Sequence, residues 1–104
     1  MGTPPGGRLI RQPSDAEYVV RDWMKYWGQI DAIRMGGTGD MGVDVESGDY
    51  VVQVKATTGA VGRPVVQQTF GEATHRSKKA LVFSLGGFTD EAMEWATEAV
   101  AREI

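Results

Sequence analysis

Apolar residues recur at helical spacing in the segment that begins near Ser14 and ends before Gly28. Ser14 and Glu17 have the spacing of a capping box, in which each side chain bonds the backbone N–H of the other residue. Glycine commonly follows the last turn of a helix, because it adopts the left-handed conformation without strain. The segment is therefore predicted to form an amphipathic helix with a buried stripe. The stripe consists of Ala16, Val19, Val20, Trp23, Met24 and Trp27.

The next segments change to the alternating pattern of β-strands. Residues 30–35 are predicted to form a short strand. Residues 43–46 and 50–55 are rich in β-branched residues and are predicted to form a hairpin that turns at Ser47 and Gly48.

The turn of this hairpin decides which side chains share a face. With a two-residue turn, Asp44 lies opposite Val51 and on the same face as Gln53 and Lys55. A three-residue turn moves Asp44 to the other face unless a β-bulge compensates. The first arrangement gathers the polar side chains and leaves an apolar face for the core. That face consists of Val43, Val45, Tyr50, Val52 and Val54.

The second half of the chain is predicted to form a helix, a strand and a closing helix. Pro64 suits the first turn of the helix, residues 80–84 are an apolar strand, and Thr89 caps the last helix. The buried stripe of the first of these helices is Val65, Val66, Thr69, Phe70 and Ala73. The inner face of the last helix is Ala92, Met93, Ala96, Ala99 and Val100. Residues 1–13, rich in glycine and proline, are expected to be a flexible arm before a folded domain of residues 14–104.

Composition narrows the possible chemistry. The 104 residues are 41% hydrophobic and 24% charged, which fits one compact domain. The chain has no cysteine and one histidine, His75, so a disulfide framework, a cysteine nucleophile and a multi-histidine zinc site are excluded. His75 is expected in a loop or at a phosphate. No apolar run is long enough for a signal peptide or a membrane span, and we expect a cytoplasmic protein with no membrane partner.

The net charge of −3 is unevenly distributed. Residues 1–89 hold 10 basic and 9 acidic residues, so the excess of negative charge lies in the last helix and the remainder is compatible with a polyanionic partner. A basic stretch that suits phosphate contacts, or otherwise a solvated loop, contains Arg63, His75, Arg76, Lys78 and Lys79.

The glycine-rich segment 37–42 has the letters of the GxGxxG dinucleotide fingerprint. An alternating strand follows it where the fingerprint requires a helix, and no acidic residue lies about twenty positions further on. We therefore interpret the segment as a tight turn, in which Asp40 caps glycine amides.

Asp44, Gln53 and Lys55 are the strongest candidates for chemistry. A carboxylate and an amide oxygen are ligands that suit Mg²⁺, and a nearby lysine suits metal-assisted phosphodiester hydrolysis. Lys55 would orient or deprotonate the attacking water, or neutralise charge on the phosphate. The alternative from spacing alone is an exposed hairpin face with a weak ion pair.

Three segments together resemble the Mrr-type restriction endonuclease catalytic domain, within the PD-(D/E)xK nuclease superfamily. They are residues 39–44 (Gly-Asp-Met-Gly-Val-Asp), residues 53–55 (Gln-Val-Lys) and residues 87–89 (Gly-Phe-Thr) before an alanine-rich helix. The resemblance covers roughly residues 15–100. It implies an α/β restriction-endonuclease-like fold, with a mixed central sheet flanked by helices in the order α-β-β-β-α-β-α. It also implies a DNA endonuclease that depends on Mg²⁺ or Mn²⁺.

The same resemblance assigns roles to individual residues. Asp44 and Gln53 would be metal ligands together with the backbone carbonyl of Val54, and Lys55 would be the catalytic lysine. Glu17 would reach the metal through water, unless it only completes the capping box. A helix behind the sheet would present Gln67 or Gln68 to the site or the DNA. The residues expected to contact DNA are Arg63, Gln67, Arg76, Lys78 and Lys79.

The partners follow from the size of the chain. One such domain makes one cut, so we expect a homodimer or a partner recognition subunit for double-strand cleavage. A minimal domain also suits a structure-selective nuclease that resembles Holliday junction resolvases. A noncatalytic DNA-binding or assembly module with a nuclease fold is the alternative from another functional class.

Overall fold

The computed structural model describes residues 3–6, 9–35 and 43–103, with side chains as far as residue 97. Its elements are α1 (Pro13–Tyr26), β1 (Ile33–Arg34), β2 (Val45–Glu46), β3 (Tyr50–Lys55), α2 (Arg63–His75), β4 (Lys79–Ser84) and α3 (Asp90–Glu103). The α/β class and the predicted order α-β-β-β-α-β-α are confirmed. The predicted glycine turn at 36–42, with Asp40, lies outside the described residues.

The strands form one mixed sheet in the order β1-β2-β3-β4. β1 to β3 are antiparallel neighbours, whereas β4 runs parallel to β3. A parallel neighbour requires a crossover connection, and α2 supplies it. The beginning of α2 therefore lies toward the end of β3 that carries Lys55, and its last turn lies toward the start of β4.

Apolar side chains cover both faces of the sheet. On one face, α1 packs on β2 and β3 in a cluster of Val20, Met24, Ala32, Val45 and Val52. On the other face, α2 packs in a second cluster of Val43, Val51 and Ala73. α3 contacts α2, where the rings of Phe70 and Trp95 meet edge to face at 5.4 Å between centroids. The sheet is therefore a buried middle layer between α1 and the α2–α3 pair.

The N-terminus of α1 differs from the predicted capping box. The helix begins at Pro13, and the carboxylate of Asp15 accepts hydrogen bonds from the backbone N–H of Arg11 (2.9 Å) and Gln12 (3.1 Å). The prediction that Ser14 caps the helix is wrong, because Pro13 is the first helical residue and Gln12 is the cap, two residues earlier than predicted. The end was predicted correctly, since Gly28 follows the last turn with a φ of 106°.

The hairpin turns one residue later than predicted. Ser47 pairs with Tyr50 through its backbone N–H, so the two-residue turn is Gly48 and Asp49. The backbone N–H of Asp44 donates to the carbonyl of Val52 at 2.8 Å, although Val45 is the residue paired with Val52. Two consecutive residues thus face one partner, which is the pattern of a β-bulge.

The bulge shifts the alternation before β2. Val43 was predicted on the face of Val45, but it packs with Val51 and Ala73 on the α2 side. The extra residue at the bulge rotates the preceding chain to the opposite face.

The helix stripes were predicted with partial success. Ala16, Val20 and Met24 are buried along α1, and Thr69 and Ala73 along α2. At the cap of α3, the backbone N–H of residue 92 donates to the Thr89 hydroxyl, as predicted.

Two large apolar side chains were predicted in the core but lie at the surface. Trp27 is 53% exposed and Met93 54% exposed. The ring of Trp27 stacks on Phe83 at 6.4 Å between centroids, so it packs on the sheet with one side only. No helix in the described part of the chain is long and apolar enough to cross a membrane.

Candidate active site

Asp44 lies at the β-bulge and is held from two directions. Its Oδ2 accepts a hydrogen bond from Nε2 of Gln53 at 2.9 Å and another from the backbone N–H of Val54 at 2.8 Å. The bulge accounts for the second bond, because the interrupted ladder frees the N–H of Val54 for a side-chain acceptor. The structure therefore brings Asp44 and Gln53 together, and the carboxylate has a fixed position.

The electrostatic surroundings of Asp44 include opposing effects. Burial raises the pKa of its carboxyl group above the ordinary value of 3.8. The hydrogen bond from Val54 and the positive charges of Lys55 and Arg34 act against this shift. The carboxylate is thus partly desolvated and lies within electrostatic reach of two cations.

Gln53 and Lys55 lie on β3, next to Asp44. Gln53 is only 6% exposed, so its amide is a buried polar group with Asp44 as its hydrogen-bond partner. Lys55 is half-buried at the last position of the strand. The predicted grouping of these three side chains on the hairpin agrees with this geometry, although the turn residues differ.

One of the two roles predicted for Glu17, completing the capping box, is wrong. It does not complete a capping box, since Asp15 has that role, and its Oε1 accepts a hydrogen bond from Nε of Arg34 at 2.8 Å. The pair is mostly buried, with the Glu17 side chain 13% and the Arg34 side chain 24% exposed.

Arg34 was not singled out by the sequence analysis. No motif contains it, and only its place at the end of the short strand before the glycine turn was a signal. Its contact with Glu17 is seen only in the tertiary structure, because α1 must pack against β1 to bring Glu17 and Arg34 together.

The five residues predicted to contact DNA fall into two groups. Arg63 is exposed at the start of α2 with Gln67 one turn later, near the end of β3 that carries Lys55. The other three, at the opposite end of the sheet, are Arg76, Lys78 and Lys79. Lys79 pairs with Tyr50, five residues from Lys55, which corresponds to about 16 Å along the strand.

Two cations of the second group are already in ion pairs. Arg76 contacts Glu46 at 2.7 Å and Glu72 at 2.8 Å, and Lys78 contacts Glu46 at 2.7 Å. These contacts tie the end of α2 to β2. Arg63 and Lys79 are exposed and have no ion pair with another described residue.

An apolar groove between β4, α2 and α3 has a volume of about 440 Å³. Its lining includes Val66, Phe70, Val82, Met93 and Trp95, and none of the predicted metal ligands. The groove is therefore separate from the polar site at the bulge.

The donor atoms at the bulge fit a small, hard cation. Within the described ranges, no three acidic, histidine or cysteine side chains cluster as a metal site. Mg²⁺ does not need such a cluster, because it usually takes one or two carboxylates with waters and substrate phosphates. A half-turn of the Gln53 amide places its oxygen where Nε2 now lies, 2.9 Å from Oδ2 of Asp44. Neighbouring ligands of octahedral Mg²⁺ are about 3.0 Å apart, so these two oxygens suit one ion.

A family model and one known relative indicate the family of the chain. A family model described as restriction endonuclease, for the Mrr catalytic domain, matches residues 11–104. The type IV methyl-directed restriction enzyme EcoKMrr of Escherichia coli (strain K12) is 36% identical over 96 residues. The match covers 81% of this chain and 32% of that enzyme, so the chain spans about a third of the length of this relative. No solved structure matches. The chain belongs to the Mrr-type restriction endonuclease family of nucleases.

Proposed function

We propose that the chain is a metal-dependent DNA endonuclease whose active site is Asp44, Gln53 and Lys55. The observation that carries the proposal is the half-buried carboxylate of Asp44, fixed by Gln53 and Val54 beside the ammonium of Lys55. The Mrr-type family supports the reaction class, and the fixed carboxylate supports this position in the fold.

Asp44 and the amide oxygen of Gln53 would hold Mg²⁺ or Mn²⁺, with the carbonyl of Val54 as a further ligand. The ion supplies positive charge at the phosphate, where negative charge develops during hydrolysis. Lys55 donates a hydrogen bond to the phosphate or to the attacking water and stabilises the same charge. Arg63 and Gln67, at the same end of the sheet, are proposed to contact the DNA backbone.

The reaction is hydrolysis of one phosphodiester bond. The oxygen of a water molecule bonds to phosphorus, and one ester bond from phosphorus to oxygen breaks. One proton of the water ends on the leaving alkoxide, so the products are a phosphomonoester and an alcohol. Each chain carries one such site, and a homodimer or a partner subunit is proposed for cutting both strands.

Substrate choice is proposed from the relative. Because that enzyme is methyl-directed, methylated duplex DNA is the first substrate to test. Purified protein is incubated with methylated and unmethylated supercoiled plasmid, linear duplex and a four-way junction, each with Mg²⁺, Mn²⁺ or a chelator. We expect cleavage with either metal and none with the chelator.

Two other outcomes of this experiment would indicate a different function. Preference for the junction over duplex DNA would replace the restriction function with a structure-selective nuclease. Binding without cleavage of any substrate, with either metal, would contradict the proposal and favour a DNA-binding module.

A further inference from the structure

Glu17 and Arg34 form a mostly buried ion pair across the interface between α1 and β1. Nε of Arg34 donates to Oε1 of Glu17 at 2.8 Å, and Nη1 lies 3.5 Å from the hydroxyl of Tyr18. The Arg34 guanidinium also lies over the ring of Tyr18, 4.9 Å from its centroid. A planar guanidinium held by a carboxylate and an aromatic face has few remaining orientations.

This guanidinium lies on the strand next to Asp44. Arg34 pairs with Val45, the residue that follows Asp44, and the backbone N–H of Met35 donates to the carbonyl of Asp44 at 2.8 Å. The charge of Arg34 acts on the carboxylate of Asp44, as does that of Lys55. Two cations of different strands thus act on the same carboxylate.

The hydrogen bonds of Arg34 to described residues engage Nε and Nη1, and Nη2 has no acceptor among the described residues. A guanidinium presents its donors in a rigid fork that matches a phosphate. Glu17 fixes one edge of this fork, so a phosphate near Asp44 can meet the other.

We propose that Arg34 is a phosphate-binding residue of the active site and that Glu17 acts by positioning it, not by reaching the metal. This inference rests on the proposed nuclease function. Arg34 donates hydrogen bonds to a non-bridging oxygen of the phosphate that is cut, and no proton or covalent bond is exchanged. The hydrogen bond from Glu17 raises the pKa of the Arg34 guanidinium, so it stays charged and does not act as a base.

The test compares four variants of the full chain with the parent protein. Glu17→Gln, Arg34→Gln and the double variant probe the pair. Arg21→Gln is the matched control, because the Arg21 guanidinium lies 4.9 Å from the centroid of the same Tyr18 ring but pairs with Asp22. For each variant we would measure thermal stability, Mn²⁺ affinity without DNA, duplex affinity with chelator and single-turnover cleavage with Mg²⁺.

We expect Arg34→Gln to weaken DNA binding about tenfold and to slow cleavage about 10- to 100-fold, because a charge-assisted bond to phosphate is lost. Glu17→Gln should slow cleavage no more than Arg34→Gln does, and the double variant should match Arg34→Gln. Residues that act as a unit give this non-additive pattern. Mn²⁺ affinity should not fall in Glu17→Gln or Arg34→Gln, and Arg21→Gln should bind and cut DNA like the parent.

Two results would overturn the inference. A tenfold or greater loss of Mn²⁺ affinity in Glu17→Gln, with additive losses of cleavage in the double variant, would show that Glu17 acts on the metal. Unchanged DNA affinity in a folded Arg34→Gln variant would show that Arg34 does not bind phosphate. If the parent cuts no substrate, the proposed function fails, while the DNA and Mn²⁺ affinities still decide the roles of Arg34 and Glu17.

Discussion

In its proposed role as a metal ligand, Asp44 has contrary effects on function and stability. Its carboxylate must be charged to hold a cation, yet burial disfavours that charge and raises its pKa. The pKa of such a carboxyl group is higher in the folded state than in the unfolded state. The free energy of unfolding therefore falls as the pH rises from the unfolded-state pKa through the folded-state pKa. Above that window, the charged form of Asp44 costs stability. Buried functional groups commonly show this conflict.

The variant Asp44→Asn separates the two effects. Asparagine is uncharged and keeps an oxygen that accepts from Gln53 and Val54 in place of Oδ2. We therefore expect the free energy of unfolding at pH 7 to equal or exceed that of the parent. The difference should vanish below about pH 4, where the carboxyl group is protonated in both states. Urea unfolding at the two pH values measures it.

A clear loss of stability in Asp44→Asn at pH 7 would contradict this prediction. It would mean that the charges of Lys55 and Arg34 stabilise the ionised form more than burial destabilises it.

The sequence was sufficient for part of the site and not for the rest. Asp44, Gln53 and Lys55 could be grouped because alternation along paired strands is a local rule. The partner of Glu17 could not be predicted, because Arg34 is 17 positions away and meets it only through the packing of α1 on β1. Ion pairs between elements depend on that packing and have no sequence periodicity.

At the level of elements, the start of α1 shows how one residue changes a capping assignment. The predicted start had Ser14 at the cap, but Pro13 is the first helical residue and Gln12 is the cap. Proline has no N–H to satisfy at the first helical position, so the helix begins there and Asp15 accepts from the two preceding N–H groups. Glu17 is thereby released for Arg34.

This assignment predicts different effects for two neighbouring substitutions. Asp15→Ala removes two hydrogen bonds and a negative charge at the helix N-terminus, and should lower the free energy of unfolding by about 1 kcal/mol. Ser14→Ala should change it by less than about 0.5 kcal/mol. Thermal or urea unfolding of both variants measures the difference, and a larger effect at Ser14 would restore the capping box first predicted.

The β-bulge at Asp44 is the element that the sequence pattern did not locate. Both strands keep their alternation on either side of it, so the pattern gives no sign of the extra residue. Its consequences are the reversed face of Val43 and the hydrogen bond from Val54 to Asp44. Bulges are frequent next to active sites because they redirect a side chain, and here the redirected side chain is the proposed metal ligand.

At the scale of the whole molecule, the distribution of ion pairs divides the basic residues. Arg76 and Lys78 are held by Glu46, whereas Arg63 and Lys79 are exposed. An exposed cation that contacts a phosphate contributes to the salt dependence of binding, and a cation that ties two elements together contributes to stability.

DNA binding at several salt concentrations distinguishes these roles. Arg63→Ala and Lys79→Ala should each weaken binding and reduce the slope of log affinity against log salt by about 1. Arg76→Ala should leave that slope nearly unchanged and lower the free energy of unfolding by about 1 kcal/mol, through the loss of two ion pairs. A reduced slope in Arg76→Ala would mean that Arg76 leaves Glu46 to contact DNA.

The domain corresponds to one part of a longer relative. The chain matches 32% of the methyl-directed relative, so most of that enzyme has no counterpart in the match.

The most direct test of the account is single-turnover cleavage of plasmid DNA with Mg²⁺ by the parent, Asp44→Asn, Lys55→Ala and Lys25→Ala. Lys25 is an exposed lysine in the last turn of α1 and serves as the control. Asp44→Asn and Lys55→Ala should each be folded and at least about 100-fold slower than the parent. Asp44→Asn removes the charged ligand of the proposed metal ion, and Lys55→Ala removes a cation that stabilises the reacting phosphate. Lys25→Ala should cut at the parent rate. Cleavage at the parent rate by folded Asp44→Asn and Lys55→Ala would contradict the assigned active site.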